Sequence, residues 1–436
     1  MTKRSGEEAL SPPGAVRDIA RTLEDAGFET WCVGGAVRDA LLGHPHLDWD
    51  LATAATPAQV RRLFKKTIPV GIAFGTIGVL DPQGVMHEVT TFRRDVRTDG
   101  RHAEVEFGAS LDEDLARRDF TVNAIAYSTS KKALHDPFGG RDDLARRVIR
   151  AVGDAGARMR EDRLRALRAL RFAARFGFTI DPATWRAIVE SAPHLGRLSM
   201  ERVKQELDKT FEQVDRPSEA LKLWRESGAL QWLVPGLAAV SDVTLASVDA
   251  IARPVKGAHP ERRIDRLTAL FAELGPRDAA RALKALRASN HEVGWVGEVL
   301  ERWQALEPAL RAALRPGERV PDATVRGWVA LAGRLRVGAV MRLAAARFGA
   351  EREAGKAAPS ADAVASVYRR MARAAFRDPV EIGDLAVDGD DLRSAGVPAG
   401  PRMGTLLQEL LAWVLEDPAR NTRDELLARA RATIGG

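Results

Sequence analysis

WCVGGAVRDALLGHPHLDWDLATAATP, residues 31–57, sets a Gly-Gly step and an arginine ten residues ahead of two aspartates, Asp48 and Asp50, separated by one residue. In an extended segment, positions i and i+2 face one side with Cα atoms about 6–7 Å apart, so both carboxylates can converge on the same cations. Two divalent ions about 3.5–4 Å apart stabilise both the attacking and the leaving oxygen of a phosphoryl transfer. Gly34 and Gly35 remove the Cβ atoms that would hold a phosphate off backbone N–H groups, and Arg38 adds a planar cation. The flanks FETWCVGG and HLDWDLAT read as short strands, and AVRDALLG between them as a helical turn with Leu41 and Leu42 inward. That order puts the glycines at a strand end, where ligand-binding loops sit. An Asp-x-Asp pair alone is more often a solvated turn. With a phosphate cradle in front of it, it points to nucleotidyl transfer.

Two further clusters carry charge beside apolar runs. In DEDLARRDFTVNAIAY, 112–127, Arg117, Arg118 and Asp119 precede Phe120, and Val122, Ala124, Ile125 and Ala126 read as buried. Read in isolation, the paired arginines are a helix end with solvated charges. GARMREDRLRALRALRFAARFGF, 156–178, reads as one helix stopped by Gly177, with Leu164, Leu167, Phe172 and Ala174 supplying its apolar surface. A solvated basic face is the bland reading of its seven arginines. Against it stands the i, i+3 series Asp162, Arg165, Arg168, Arg171, which winds over about half the helix circumference at about 300° per step. Such a track suits a nucleotide held lengthwise, and arginine matches phosphate oxygens and base edges bidentately where lysine does not.

Composition agrees with a nucleic-acid partner without establishing it. The 436 residues, 45% hydrophobic, exceed one ordinary domain, and the net charge of +6 is mild. A pI of about 9.6 favours a polyanion. The single cysteine, Cys32, falls in the strand before the glycines, where it reads as a small buried apolar residue in a reducing cytoplasm. The N-terminal MTKRSGEEALSPPG lacks the apolar core of a signal peptide, and no run of 18 or more apolar residues appears. Up to about residue 150, strand candidates (TIPV, FGTIGVLD, VMHEVTTF, AIAYSTS, RRVIRAV) alternate with helices; beyond it, helical periodicity takes over.

VGGAVRDALLG, LDWDLAT, HEVTTFRRD with DGRH, RRDFTVNAIAY and EDRLRALRALRFAARFGF, in that order and at these spacings, resemble the class II tRNA nucleotidyltransferase/poly(A) polymerase family over residues 30–180. The resemblance implies an α+β fold: a polymerase-β-like head of mixed sheet and helices over 13–152, after a disordered 1–12. An elongated, all-helical remainder would follow, as neck (153–240), body (241–378) and tail (379–436). It implies Asp48 and Asp50 as metal ligands and Gly35 and Arg38 as the nucleotide-phosphate cradle. Arg118 is the triphosphate contact by the same resemblance, Asp162 and Arg165 the pair that reads the base, and Arg168 and Arg171 the remaining nucleotide contacts. Glu88 is either a third acid near the metals or a strand carboxylate paired with Arg93. The cofactor implied is a pair of Mg²⁺ ions, with Mn²⁺ as an alternative. The partners implied are CTP, ATP and the 3′ end and acceptor arm of tRNA, with no membrane and no protein partner. The activity implied is building or repairing the 3′-terminal CCA without a nucleic-acid template. A poly(A) polymerase, an enzyme adding only A or only CC, and a non-catalytic RNA-binding protein are the alternatives.

The base-reading pair makes chemical sense. A carboxylate only accepts hydrogen bonds and a guanidinium only donates them. Cytosine and adenine both present an amine donor beside a ring-nitrogen acceptor; uracil and guanine invert the two, at about 1–3 kcal/mol per bidentate pair. Two further expectations concern the helical part. Ala272 and Glu273 stand where some relatives carry a His-Asp metal step, so the body reads as scaffold. Gly396, Pro398, Gly400 and Pro401 read as a tight turn, with Gly404 opening a helix whose N-terminus is suited to a backbone phosphate. Phe74, where the family usually has histidine, and Ala103, where it usually has proline, depart from the pattern. The loss of a proline loosens a loop.

Overall fold

Alternating apolar residues in the first third of the chain build one mixed sheet. Its strands are β1 (Thr30–Val33), β2 (Asp50–Thr53), β3 (Thr67–Gly71), β4 (Thr76–Leu80) and β5 (Met86–Thr91). A separate hairpin, β6 (Arg93–Thr98) and β7 (Ala103–Phe107), precedes the last two, β8 (Ala126–Ser128) and β9 (Ala133–His135). The order across the sheet is β3-β4-β5-β2-β1-β8-β9, antiparallel except for β2 beside β5. The structure, a computed structural model, describes residues 10–44, 48–98, 103–251, 261–315, 317–398 and 400–435. The stretch Pro45–Leu47 of the opening motif, Arg101 and His102, and most of the segment expected to be disordered lie outside the described residues.

Helices α1 (Gly14–Asp25), α2 (Gly35–Leu41) and α3 (Pro57–Leu63) pack on the sheet. Thr56 starts α3 with a capping box, its side chain accepting from Gln59 N while Gln59 returns a bond to Thr56 N. A hydrophobic core of Trp31, Val33, Ala52, Phe92, Ala124 and Ala126 is closed by Leu111 and Leu115 of α4 (Leu111–Ala116) and by Val152. By strand alternation, Asp50 lies on the face of β2 that also carries Ala52. Val122, Ala124, Ile125 and Ala126 are fully buried, as their run predicts. Burial pushes the Cys32 thiol up to about 12, with Glu24 and Asp50 adding to it, so Cys32 is an inert core residue.

Two expectations are corrected here. The buried face of α2 is Ala36 to Ala40, including Arg38 and Asp39, while Leu41 and Leu42 are half-buried. The polar pair displaces the leucines because each finds a buried partner. The helix over 156–178 is two helices. After α5 (Gly140–Arg146), α6 covers Ala155–Glu161 and α7 covers Leu164–Phe176, with Gly177 ending α7 in the left-handed region. Asp162 sits in the break, extended, its Oδ1 accepting from Leu164 N at 3.0 Å. A short carboxylate that caps the next backbone N–H competes with helix continuation, so the chain stops and restarts.

The chain continues through α8 (Pro182–Ser191), α9 (Met200–Gln213), α10 (Pro217–Glu226) and α11 (Ala229–Leu233), with a positive φ at Gly228 between the last two. It divides into two compact units, Met1–Glu206 with Leu223–Leu233, and Leu207–Lys222 with Val234–Gly436. The second unit is helical: α12 (Asp242–Ala250), α13 (Glu261–Leu270), α14 (Gly275–Ala285), α15 (Asn290–Ala313), α16 (Asp322–Ala332), α17 (Val337–Glu353), α18 (Ala361–Arg377), α19 (Gly389–Ser394), α20 (Pro401–Glu416) and α21 (Arg423–Gly435). Inside it, the buried Arg266 donates to the carbonyls of Phe211, Val214 and Asp215, satisfying the open end of α9. Glu273 accepts from the backbone and hydroxyl of Ser241 ahead of α12, and Arg347 lies 3.5 Å away. Its carboxylate is thus a cap for a neighbouring helix. Helix α20 opens at Pro401, three residues before Gly404, because proline is preorganised for the first helical position. Its Leu406, Leu410 and Val414 join Val387, Leu392, Val397, Leu426 and Ala430 in a core of their own.

Candidate active site

Asp50 opens β2 directly opposite Val33, so its carboxylate lies beside the turn at Gly34. Gly34 has φ 76°, which favours glycine, and a Cβ there would fall 2.9 Å from Arg118 Nη1 and 3.9 Å from Asp50 Oδ2. A guanidinium and a carboxylate thus meet over a backbone turn with no side chain of its own. Glu88 is the neighbour on the other side. Leu51 pairs with Val89 in parallel register, so one step back Asp50 and Glu88 share a face on adjacent strands. Burial, then Asp48, then Glu88 push the Asp50 carboxyl up to about 6, with Arg118 pulling it down. Among the described residues Glu88 forms no ion pair, and Arg93 bonds instead to the Phe74 carbonyl and lies over its ring. Asp48 is exposed just ahead of the strand.

This crowding of carboxylates is what a bound cation relieves, and the donor set is hard oxygen, as Mg²⁺ requires. Among the described residues no three acids, histidines or cysteines converge on one point. The residues that could hold a cation are Asp48 and Asp50, hard oxygen donors of the kind Mg²⁺ takes together with phosphate oxygens.

Arg118 donates to Asn123 O and to Asp114 Oδ2, each at 3.4 Å, and its buried Nε has no partner among the described residues. It keeps donor capacity for an anion over Gly34. Gly35 begins α2 behind it. Arg38 is only 3% exposed: its Nε donates to Asp39 Oδ1 at 2.7 Å, its Nη1 to Asn123 Oδ1, and its guanidinium lies 4.7 Å from the Phe176 ring centroid. The side of the cradle facing Asp50 is therefore Gly34 and Arg118, with Arg38 set behind them.

The arginines of α7 are partnered from outside the helix. Arg168 Nε donates to Asp119 Oδ2 at 2.9 Å, while Asp119 Oδ1 accepts from Asn123 Nδ2 at 2.8 Å and from Phe120 N at 2.9 Å. Burial alone would raise the Asp119 carboxyl; Arg168 and these bonds hold it below the usual carboxylate range. Arg171, 3% exposed, pairs with the buried Glu206 at 2.7 Å and stacks on Phe172. Its surroundings are those of a strut beneath the track. Arg165 donates to Glu161 Oε2 at 2.7 Å and to Arg117 O at 3.0 Å. Asp162 accepts from Arg202 Nη2 at 2.7 Å. Asp162 and Arg165 thus lie within one turn at the restart of α7.

Asp119, Asn123, Glu161, Arg202 and Glu206 are missed by sequence reading. Asp119 and Glu161 stand inside quoted motifs, where their role as partners of Arg168 and Arg165 has no local signature. Arg202 and Glu206 show only the i, i+4 spacing of any helix.

Residues 30–150 match the family described as "Poly A polymerase head domain", and residues 177–241 match "Probable RNA and SrmB- binding site of polymerase A". The chain is 37% identical over 413 residues to the CCA-adding enzyme of Geobacillus kaustophilus, covering 94% of each protein. The chain belongs to the CCA-adding enzyme family. The CCA-adding enzyme of Latilactobacillus sakei is 33% identical over 429 residues, covering 95% of this chain and 96% of that one. The crystal structure of the Bacillus stearothermophilus CCA-adding enzyme in complex with CTP superposes with a TM-score of 0.75 at 34% identity, covering 98% of each chain. The Thermotoga maritima CCA-adding enzyme complexed with tRNA shares the fold, with a TM-score of 0.65 at 22% identity over 96% of this chain and 94% of that one. As a CCA-adding-family chain, the protein is a metal-dependent nucleotidyltransferase. No described helix is long and apolar enough to cross a membrane.

Proposed function

We propose that the protein builds and repairs the 3′-terminal CCA of tRNA from CTP and ATP in the cytoplasm, with a head over 13–152, neck over 153–240, body over 241–378 and tail over 379–436. The observation that carries this is the meeting of Asp50 and Arg118 over the Gly34 turn, with Glu88 and Asp48 crowding the same carboxylate. The acceptor 3′-hydroxyl oxygen bonds to the α-phosphorus, the α–β bridging P–O bond breaks, pyrophosphate leaves with the electron pair, and the hydroxyl proton passes to solvent. Asp48 and Asp50 would hold two Mg²⁺ ions, with Mn²⁺ as an alternative, and the metal would supply the positive charge that both reacting oxygens need. Arg118 holds the triphosphate at the Gly34–Gly35 turn. Glu88 adds a third carboxylate on the same face.

Asp162 and Arg165 read the incoming base. Asp162 already accepts from Arg202, and a carboxylate has lone pairs left for a base amine. Arg165 is held by Glu161 and the Arg117 carbonyl, so its free donors point in a fixed direction. Arg168 places the nucleotide while bonded to Asp119, and Arg38 and Arg171 act from behind by fixing Asn123 and Glu206.

Incubating the protein with tRNAs ending before CCA, after C and after CC, with each triphosphate separately, tests the reading. C, C and A incorporated in turn are expected. Long adenylate runs would reassign the protein to poly(A) synthesis, and no incorporation on any acceptor would overturn it.

A further inference from the structure

The sheet face that carries Asp50 and Glu88 is unevenly covered. Towards β1 and β8 it is closed by Leu111, Leu115 and Val152. Towards β4 and β3 it is open among the described residues. Gly78 pairs with Glu88 and with Ile68, so these three positions lie in one row across β5, β4 and β3. A Cβ at Gly78 would fall 2.7 Å from Met86 Sδ and 3.0 Å from Val70 Cγ2, so both side chains lean over the glycine. Ile68, Val70 and Met86 are nonetheless 41%, 44% and 38% exposed. Grouped apolar side chains left in water on a sheet mark a contact surface.

Charge indicates which occupant. Arg61, Arg62, Lys65 and Lys66 run directly into β3, and among the described residues none of the four has an ion-pair partner. Lys66 O accepts from Leu80 N, which by alternation sets Lys66 on the face of Ile68. Positive charge that follows the backbone is one element of a single-stranded nucleic-acid groove, and Lys66 supplies it beside the apolar floor. Position agrees. The Gly34 and Arg118 cradle lies on the β1 side of Asp50, and the open face on its β5 side, so a nucleotide in the cradle leaves the opposite side for the attacking strand.

We propose that the 3′-terminal nucleotides of the acceptor RNA cross this open face, riboses and bases against Ile68, Val70 and Met86, with a phosphate at Lys66. The inference rests on the nucleotidyl-transfer reading of the same site. The test is the triple variant Ile68→Ser/Val70→Ser/Met86→Ser, made at exposed positions, beside Val70→Ile/Met86→Leu as the conservative control. The triple variant should melt as the wild type does, raise the apparent KM for tRNA lacking CCA at least fivefold, and leave the KM for CTP within twofold. The conservative variant should restore the acceptor KM. A wild type that incorporates CMP beside a folded triple variant with unchanged acceptor KM overturns the track and leaves the activity standing. A triple variant that changes only the sedimentation coefficient assigns the face to a second copy or another protein, and also overturns it. Binding reads the track without catalysis: tRNA carrying a photoreactive 4-thiouridine as its last nucleotide should crosslink within residues 66–86. Crosslinks confined to other segments overturn the proposal even if no nucleotide is added.

Discussion

Arg168 Nε donates to Asp119 Oδ2 at 2.9 Å, tying helix α7 to the segment that carries Arg118. Asp119 has no other cation within ion-pair reach among the described residues, and its second oxygen is filled by Asn123 and the Phe120 backbone. Losing Asp119 leaves Arg168, among the described residues, with Glu206 alone, 3.6 Å from its Nη1, and deprives Asn123 and the Phe120 N–H of a charged acceptor, which lowers stability. Asp119→Asn should therefore lower the urea midpoint, and Asp119→Asn with Arg168→Met should cost less than the two single changes summed. The pH dependence has a definite sign. The folded Asp119 pKa lies below the free aspartate value of about 3.9, so the pair's stability is complete above that pH and is lost as pH falls through the lower folded value. Wild type should lose more stability than Asp119→Asn between about pH 4 and pH 2, read from urea melts along that range. Equal losses would remove the pair from the stability of α7.

Legibility followed the range of each interaction. The Gly-Gly step, the Asp-x-Asp pair and the strands around them are local patterns, and β1, α2 and β2 fall within the segments read from them. The break at Asp162 could not be read from the i, i+3 series, because that series starts at Asp162 and runs on through Arg165, Arg168 and Arg171 inside α7, and only a side chain bonding to Leu164 N interrupts the backbone ladder. The inward turn of Arg38 and Arg171 was equally hidden. Both are charged residues that become buried only because Asn123 and Glu206, distant in sequence, meet them.

Gly34 offers a test of the cradle. Its φ of 76°, and the mere 2.9 Å that would separate an alanine Cβ from Arg118 Nη1, make alanine doubly unfavourable there. The backbone conformation alone costs about 1–3 kcal/mol, and Arg118 must give way as well. Gly34→Ala should raise the KM for CTP and ATP together by about tenfold, on the scale of 1.4 kcal/mol per decade, while acceptor affinity stays within twofold. Gly27→Ala supplies the control, since it too has positive φ but nothing within 4 Å of the added atom. If both variants show the same KM, Arg118 is not held in place by the glycine.

Asp50→Asn should separate catalysis from stability. Its folded pKa of about 6 exceeds the free value, so in metal-free protein the ionised carboxylate opposes folding above about pH 6, and the opposition fades as pH falls towards 4. Asparagine removes a charge crowded by Asp48 and Glu88. Metal-free Asp50→Asn should melt at or above the wild-type temperature at pH 8, the difference shrinking by pH 5, while CMP incorporation with Mg²⁺ falls by a factor of at least 100. Retained incorporation would take Asp50 out of the metal site. A melting temperature several degrees lower would mean that the carboxylate is a structural partner.

Asp162 carries the most exposed part of the mechanism, because two roles for it forecast different things. As a base reader, it accepts from the amine of cytosine or adenine and repels the carbonyl of uracil or guanine. Asp162→Ala then relaxes discrimination against UTP and GTP by about 10–100-fold, the scale of 1–3 kcal/mol per contact. As a structural residue, it caps Leu164 N and pairs with Arg202 at 2.7 Å, and its loss costs stability while leaving the nucleotide ranking alone. Arg202→Ala separates the two. It removes the pair but leaves the carboxylate, so the ratio of CTP to UTP incorporation should stay at the wild-type value. Asp162→Asn keeps an acceptor and adds a donor, which suits a carbonyl, so UTP should gain more from it than from alanine. Single-turnover incorporation of all four triphosphates on the three variants, with thermal melts alongside, reads each outcome. An unchanged ratio in a folded Asp162→Ala protein would confine Asp162 to shaping the break between α6 and α7.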